Sequence, residues 1–135
     1  MPISKITYTG GLHCEAVHLK SGKGLETDAP TDNNGRGEAF SPTDLMSTSL
    51  GLCMITIMGI KARSMDLDLE GTEIDVEKVM ESNPRRVGEI GLTLRIPHNF
   101  PEETQRILEA AGRACPVAKS LHPDVVQSVQ FVWGK

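Results

Sequence analysis

Apolar and polar positions change period several times along this chain, and each change marks an element. Residues 3–9 (ISKITYT) alternate, with Ile6 and Tyr8 on one side, as in a half-buried strand. Gly10-Gly11 breaks the pattern as a turn or bulge. Leu12, Cys14, Ala16 and His18 then share one face of residues 12–19. Ser21-Gly22-Lys23-Gly24 is a hairpin signal, and Leu25 to Asp28 is the returning strand. Residues 29–40 (APTDNNGRGEAF) combine Pro, Gly, Asn and Asp and read as a surface loop. From Ser41 to Met65 the pattern becomes helical. Ser41 suits the N-cap, Pro42 the first helical position, and Asp44 follows the cap by three. Leu50 to Ile60 is apolar on nearly every side, interrupted only by Gly51, Thr56 and Gly59. Such a helix is buried on most faces.

Leu67 to Gly71 leads to the next strand. Across Thr72 to Met80, Ile74 and Val76 alternate with Glu73, Asp75 and Glu77, and Val79 falls out of phase, which predicts a bulge. Ser82-Asn83-Pro84 is a turn. Val87 to Ile96 is the clearest strand, with Ile90, Leu92, Leu94 and Ile96 opposite Glu89, Thr93 and Arg95. Pro101 opens a second helix whose stripe is Ile107, Leu108, Ala111 and Cys115. Pro116 disfavours helical geometry at Cys115, so a short helix over 116–121 starts with Cys115 at or near its N-cap. His122-Pro123 stops it, and Val125 to Trp133 is the last strand. Strands grouped by turns around a central helix predict one α+β domain over residues 1–135 with mostly antiparallel sheet. A sheet covers one side of that helix. A two-fold dimer in which two such helices pack together covers another.

Composition narrows the function classes. Hydrophobic residues are 39% and charged residues 24%, which fits a globular protein. Aromatics are only 4%, so the core falls to Val, Ile, Leu, Met and Ala. The net charge of -4, with no basic block, lacks the electrostatic footprint of a nucleic-acid binder. The N-terminus has no apolar h-region. The central apolar run falls short of the roughly 20 residues that span a bilayer, so no membrane partner is expected. Three cysteines without staple-like spacing then favour a reducing, cytoplasmic setting, where thiols tend to be catalytic or redox-sensing.

Cys53 and Cys115 are the candidate reactive residues. At a helix N-terminus, Cys115 meets free N–H groups and the positive dipole end, which lower a thiol pKa. Cys53 lies ten residues past Thr43, about 15 Å along its helix, and gets no such help. Its activation needs a cation or hydrogen-bond donor from another segment or subunit. Cys14 reads as a half-buried small hydrophobe. No metal is expected, because cysteines and histidines 13, 18, 98 and 122 show no zinc spacing. His13 and His18, on opposite strand faces, read as solvated surface. Asp44 reads as a helix cap and Arg85-Arg86 as a solvated turn. No phosphate-binding or dinucleotide motif appears, so no cofactor is expected.

Ser41-Pro42-Thr43-Asp44-Leu45, followed after eight residues by Cys53-Met54, resembles the signature that opens the central helix of the OsmC/Ohr family. Ala114-Cys115-Pro116-Val117-Ala118-Lys119-Ser120-Leu121 resembles its second cysteine motif. The resemblance implies an OsmC-like fold and an intertwined homodimer with sites at the subunit interface. It also implies thiol-dependent reduction of organic hydroperoxides, with Cys53 peroxidatic and Cys115 resolving, reset by a dithiol reductant. Two positions depart from the family's hydroperoxide reductases. Thr43, with Asp44 beside it, stands where they carry Glu. Leu12 stands where they carry Arg after Gly-Gly. Arg36, in the loop before the helix, is the candidate substitute. The rival expectation is a dimer that holds an apolar small molecule at its interface, with the cysteines only lining the pocket.

Overall fold

The Gly10-Gly11 turn folds the first alternating stretch back on itself, and left-handed geometry (φ 85° and 63°) explains the glycines. The computed structural model describes residues 1–134. It separates into two units, Met1–Met46 and the chain from Ser47 onward.

The first unit holds an antiparallel meander of β1 (Ser4–Gly10), β2 (His13–His18) and β3 (Gly24–Asp28). Register pairs Tyr8 with Cys14, Ile6 with Ala16, and Ala16 with Leu25, so one face is apolar. Ile6, Tyr8 and Leu25 are nevertheless exposed. The other face pairs Glu15 with Glu26 and His13 with Asp28. The expected loop carries a single 3-10 turn, Thr31–Asn33, and returns to the sheet where the Asp28 N–H donates to the Phe40 carbonyl at 3.0 Å.

The central helix α1 spans Pro42–Ser64. Its start is a reciprocal cap with Asp in place of Glu. The Asp44 N–H donates to Ser41 Oγ at 3.0 Å, and the Ser41 N–H donates to Asp44 Oδ2 at 2.9 Å. The helix runs well beyond the apolar stretch at both ends, over 23 residues. By length and composition alone α1 is long and apolar enough to cross a membrane. Leu50, Met54, Met58 and Ala62, all fully buried, give it the role of a core helix.

In the second unit α1 packs on a three-stranded sheet ordered β4 (Glu73–Glu81), β5 (Arg86–Ile96), β6 (Val126–Trp133). At Gly51 the helix faces Ile74, Val76 and Leu92, where a Cβ would make ordinary van der Waals contact at 3.5 Å. Val87, Ile90, Leu92, Leu94 and Ile96 supply the buried face of β5. The register shifts between Val79 and Met80, the bulge expected there, and leaves Val79 exposed. β4 and β5 are antiparallel, whereas β5 and β6 run parallel. The parallel pair follows from its connection: residues 97–125 carry α2 (Glu102–Arg113) and α3 (Pro116–Ser120), long enough to return the chain to its starting end. Trp133 Nε1 donates to the Glu109 carboxylate at 2.8 Å and the Arg113 guanidinium stacks on Phe131, which fasten α2 to β6.

Candidate active site

The second unit brings two thiols together from elements far apart in sequence. Cys53 sits half-buried in the middle of α1. Cys115 is fully buried and is the N-cap of α3, with extended backbone and Pro116 at the first helical position. The Ala118 N–H donates to Cys115 Sγ at 3.4 Å. The Cys53 thiol lies near enough to Cys115 to act on its charge.

Gly112, three residues before Cys115, packs tightly on α1. A Cβ at Gly112 would fall 2.8 Å from Met58 Cγ and 2.9 Å from Met54 Cγ, so α2 contacts α1 at the distance only glycine permits. The Cys115 N–H then donates to the Gly112 carbonyl at 3.1 Å, which ties the cysteine to that contact. Gly112→Ala is expected to cost about 1–3 kcal/mol, the usual range for overpacking a core. It should also slow Cys53–Cys115 disulfide formation by holding the helices apart. Denaturant melts and the rate of oxidation by a neutral disulfide reagent check both effects.

The pKa of Cys115 moves opposite to the expectation at its helix N-terminus. Burial pushes its thiol up, and the neighbouring Cys53 thiol pushes in the same direction. The Ala118 and Val117 N–H groups pull down but do not win. A helix of five residues has little dipole to offer, and full burial disfavours the thiolate.

The other candidates lie in the first turn of α1 and in the first unit. Thr43 Oγ1 is 3.2 Å from Ser41 Oγ, and the Asp44 carboxylate holds the cap. Arg36 reaches the Gly-Gly turn, where a Cβ on Gly11 would lie 3.1 Å from its guanidinium. Its charge also acts on Asp28.

Sequence reasoning missed one constellation. His13 is not a solvated surface residue. Its Nδ1 lies 2.7 Å from Oδ1 of the buried Asp28 and its Nε2 lies 3.1 Å from Glu26 Oε1. The bond to Asp28 raises the His13 pKa. The bond to His13, with the Glu38 N–H and then the charges of His13 and Arg36, lowers that of Asp28. The signal was present in the strand pattern, where residues 13, 15, 26 and 28 share a face, but it needed the β2–β3 register.

The two cysteine motifs and their meeting point correspond to one family. The family model for OsmC-like proteins matches residues 35–129. The chain belongs to the OsmC-like family. Its structure is similar to that of a Psychrobacter arcticus 273-4 protein described as an osmotic-stress-induced and detoxification-response protein. The two share 50% identity at a TM-score of 0.94, over 97% of this chain and 96% of that one. An organic hydroperoxide resistance protein, OsmC, from Legionella pneumophila is 16% identical at a TM-score of 0.75, over 96% of each chain. OhrB of Bacillus subtilis, an organic hydroperoxide resistance protein, is 15% identical at 0.66, over 95% of this chain and 96% of that one. At these last two identities the likeness is one of fold, and it bears out the α+β, OsmC-like expectation. A comparison with curated protein sequences gives no significant match.

Proposed function

We propose that this OsmC-like chain is a cytoplasmic thiol peroxidase that reduces organic hydroperoxides through Cys53 and Cys115. The observation that carries the reading is the meeting of these two thiols. The Cys53 thiolate attacks the distal oxygen of the hydroperoxide, the O–O bond breaks, and the alkoxide leaves as an alcohol after taking a proton. Cys53 becomes a sulfenic acid. Cys115 attacks that sulfur, forming the Cys53–Cys115 disulfide and releasing water. A dithiol reductant restores both thiols and is itself oxidised to a disulfide. The more exposed Cys53 suits first contact with peroxide, and the buried Cys115 beside it suits the second step.

Assembly as a homodimer belongs to the same reading. Leu52, Thr56 and Ile60 form an exposed stripe along α1, and Ile6, Tyr8 and Leu25 form an exposed apolar sheet face. A second copy of the chain would cover both. Arg36 is the proposed activator of Cys53, since its guanidinium stands at the Gly-Gly turn after which the family's reductases carry their arginine. An unaided thiol is only a few per cent ionised at neutral pH, so such a cation is needed. A second reading, a dimer that binds an apolar small molecule without turnover, is favoured by the company the thiols keep. Ile55, Ile57, Val117, Ala118 and Leu121 pack on the same core.

Peptide mapping after treatment with an alkyl hydroperoxide is the test. A Cys53–Cys115 disulfide, with Cys14 free, supports the peroxidase. Arg36→Ala should slow Cys53 oxidation at neutral pH and recover toward wild type as pH rises, because the lost cation matters only while thiolate is scarce. Equal rates at every pH would reject Arg36. Wild-type oxidation no faster than that of a free thiol of matched pKa would favour the binding protein.

A further inference from the structure

On the polar face of the N-terminal sheet, we propose that His13, Glu15 and Glu26 form a binding site for one divalent first-row metal ion, with Zn²⁺ the best match. One ligand atom from each of the three lies within 4.8 Å of the others. Strand register places them: Glu15 faces Glu26 across β2 and β3, and His13 is two residues along the same face. The set of one imidazole and two carboxylates suits a borderline cation, and it carries more negative than positive charge.

The second observation is the group behind the imidazole. Asp28, only 3% exposed, binds His13 Nδ1 at 2.7 Å and is itself held by the Glu38 N–H at 3.1 Å. A metal-ligating histidine is oriented in this way, by a carboxylate on its other nitrogen. Nε2 is left directed at Glu26, where a cation would take the place of the contact between the two side chains. Donor atoms around Zn²⁺ sit at about 2.0–2.2 Å from the metal, so the ligands must draw closer. The exposed ends of Glu15 and Glu26 are free to rotate inward, whereas His13 is already fixed. Such an ion would tie β2 to β3 and, through Asp28, brace the loop over residues 29–40. Around the site, the Glu38 N–H donates to Asp28, the Arg36 charge acts on Asp28, and Thr9 Oγ1 donates to the His13 carbonyl at 3.2 Å.

The test titrates the full-length protein with Zn²⁺ alone and follows the His13 ring by NMR, which separates this site from any binding at the thiols. The expected result is a saturable shift of the His13 signals at one ion per chain. Glu15→Gln with Glu26→Gln should weaken that shift at least about tenfold while leaving the fold intact, both side chains being exposed. Asp28→Asn should weaken it by about 10–100-fold through lost orientation. Unmoved His13 signals, or wild-type affinity in the double glutamine variant, would overturn the site. Wild-type affinity in Asp28→Asn would overturn the role given to Asp28.

Discussion

Cys53→Ser is expected to reduce hydroperoxide consumption to the uncatalysed rate. Cys115→Ser should instead form the sulfenic acid with about one equivalent per chain and then turn over only as fast as the dithiol reductant attacks that sulfenic acid directly. The two variants therefore separate the step that breaks the O–O bond from the step that forms the disulfide. The surroundings of Cys115 add a pH signature. Burial and the neighbouring Cys53 raise its thiol pKa, so its thiolate fraction grows only as pH climbs past the ordinary thiol range. In the wild type, disulfide formation should accelerate with rising pH over that range, and the sulfenic acid should accumulate at neutral pH. Stopped-flow consumption of an alkyl hydroperoxide, with a sulfenic-acid trap quantified by mass spectrometry, follows both steps. Multiple turnovers by Cys53→Ser would remove the proposed mechanism.

The second large effect contrasts two positions two residues apart on α1. Met58 is fully buried, against the backbone of Gly112. Met58→Asp puts a carboxylate where no partner waits, and unpaired buried charge is among the few changes that cost more than about 4 kcal/mol. Against a typical domain stability of about 5–15 kcal/mol, this should leave the chain largely unfolded at room temperature. Ile60 is 62% exposed, on the stripe with Leu52. Ile60→Asp should keep the fold and lose the proposed dimer. Circular dichroism and analytical ultracentrifugation distinguish the outcomes. A folded Met58→Asp would contradict the packing of α2 on α1, and a wild type that sediments as a monomer at micromolar concentration would remove the dimer.

This contrast shows where sequence periodicity stops. Leu50 to Ile60 looks uniformly apolar, so the pattern predicts burial without saying by what. Only packing separates Leu50, Met54, Met58 and Ala62, covered by the chain's own sheet and α2, from Leu52 and Ile60, which are not. The helix start was legible because a cap is local. Ser41 and Asp44 satisfy each other's N–H groups within one turn, and no distant residue takes part. The strands of β4 and β5 and their bulge were legible for the same reason, since side-chain alternation is a property of adjacent residues.

Local pattern was enough for the elements, the helix cap and the family, and it singled out Cys53 and Cys115 as candidates. What remained invisible depends on contacts between residues far apart in the chain. The parallel pairing of β5 with β6 comes from the length and return of the α2–α3 connection. The close packing of Gly112 on Met54 and Met58 appears only once α1 lies against α2. The direction of the Cys115 pKa reversed because local N–H donors, visible in sequence, were outweighed by burial, which is not. His13 followed the same logic. Its spacing to other ligands says nothing, and the register of β2 on β3 sets it between Asp28 and Glu26.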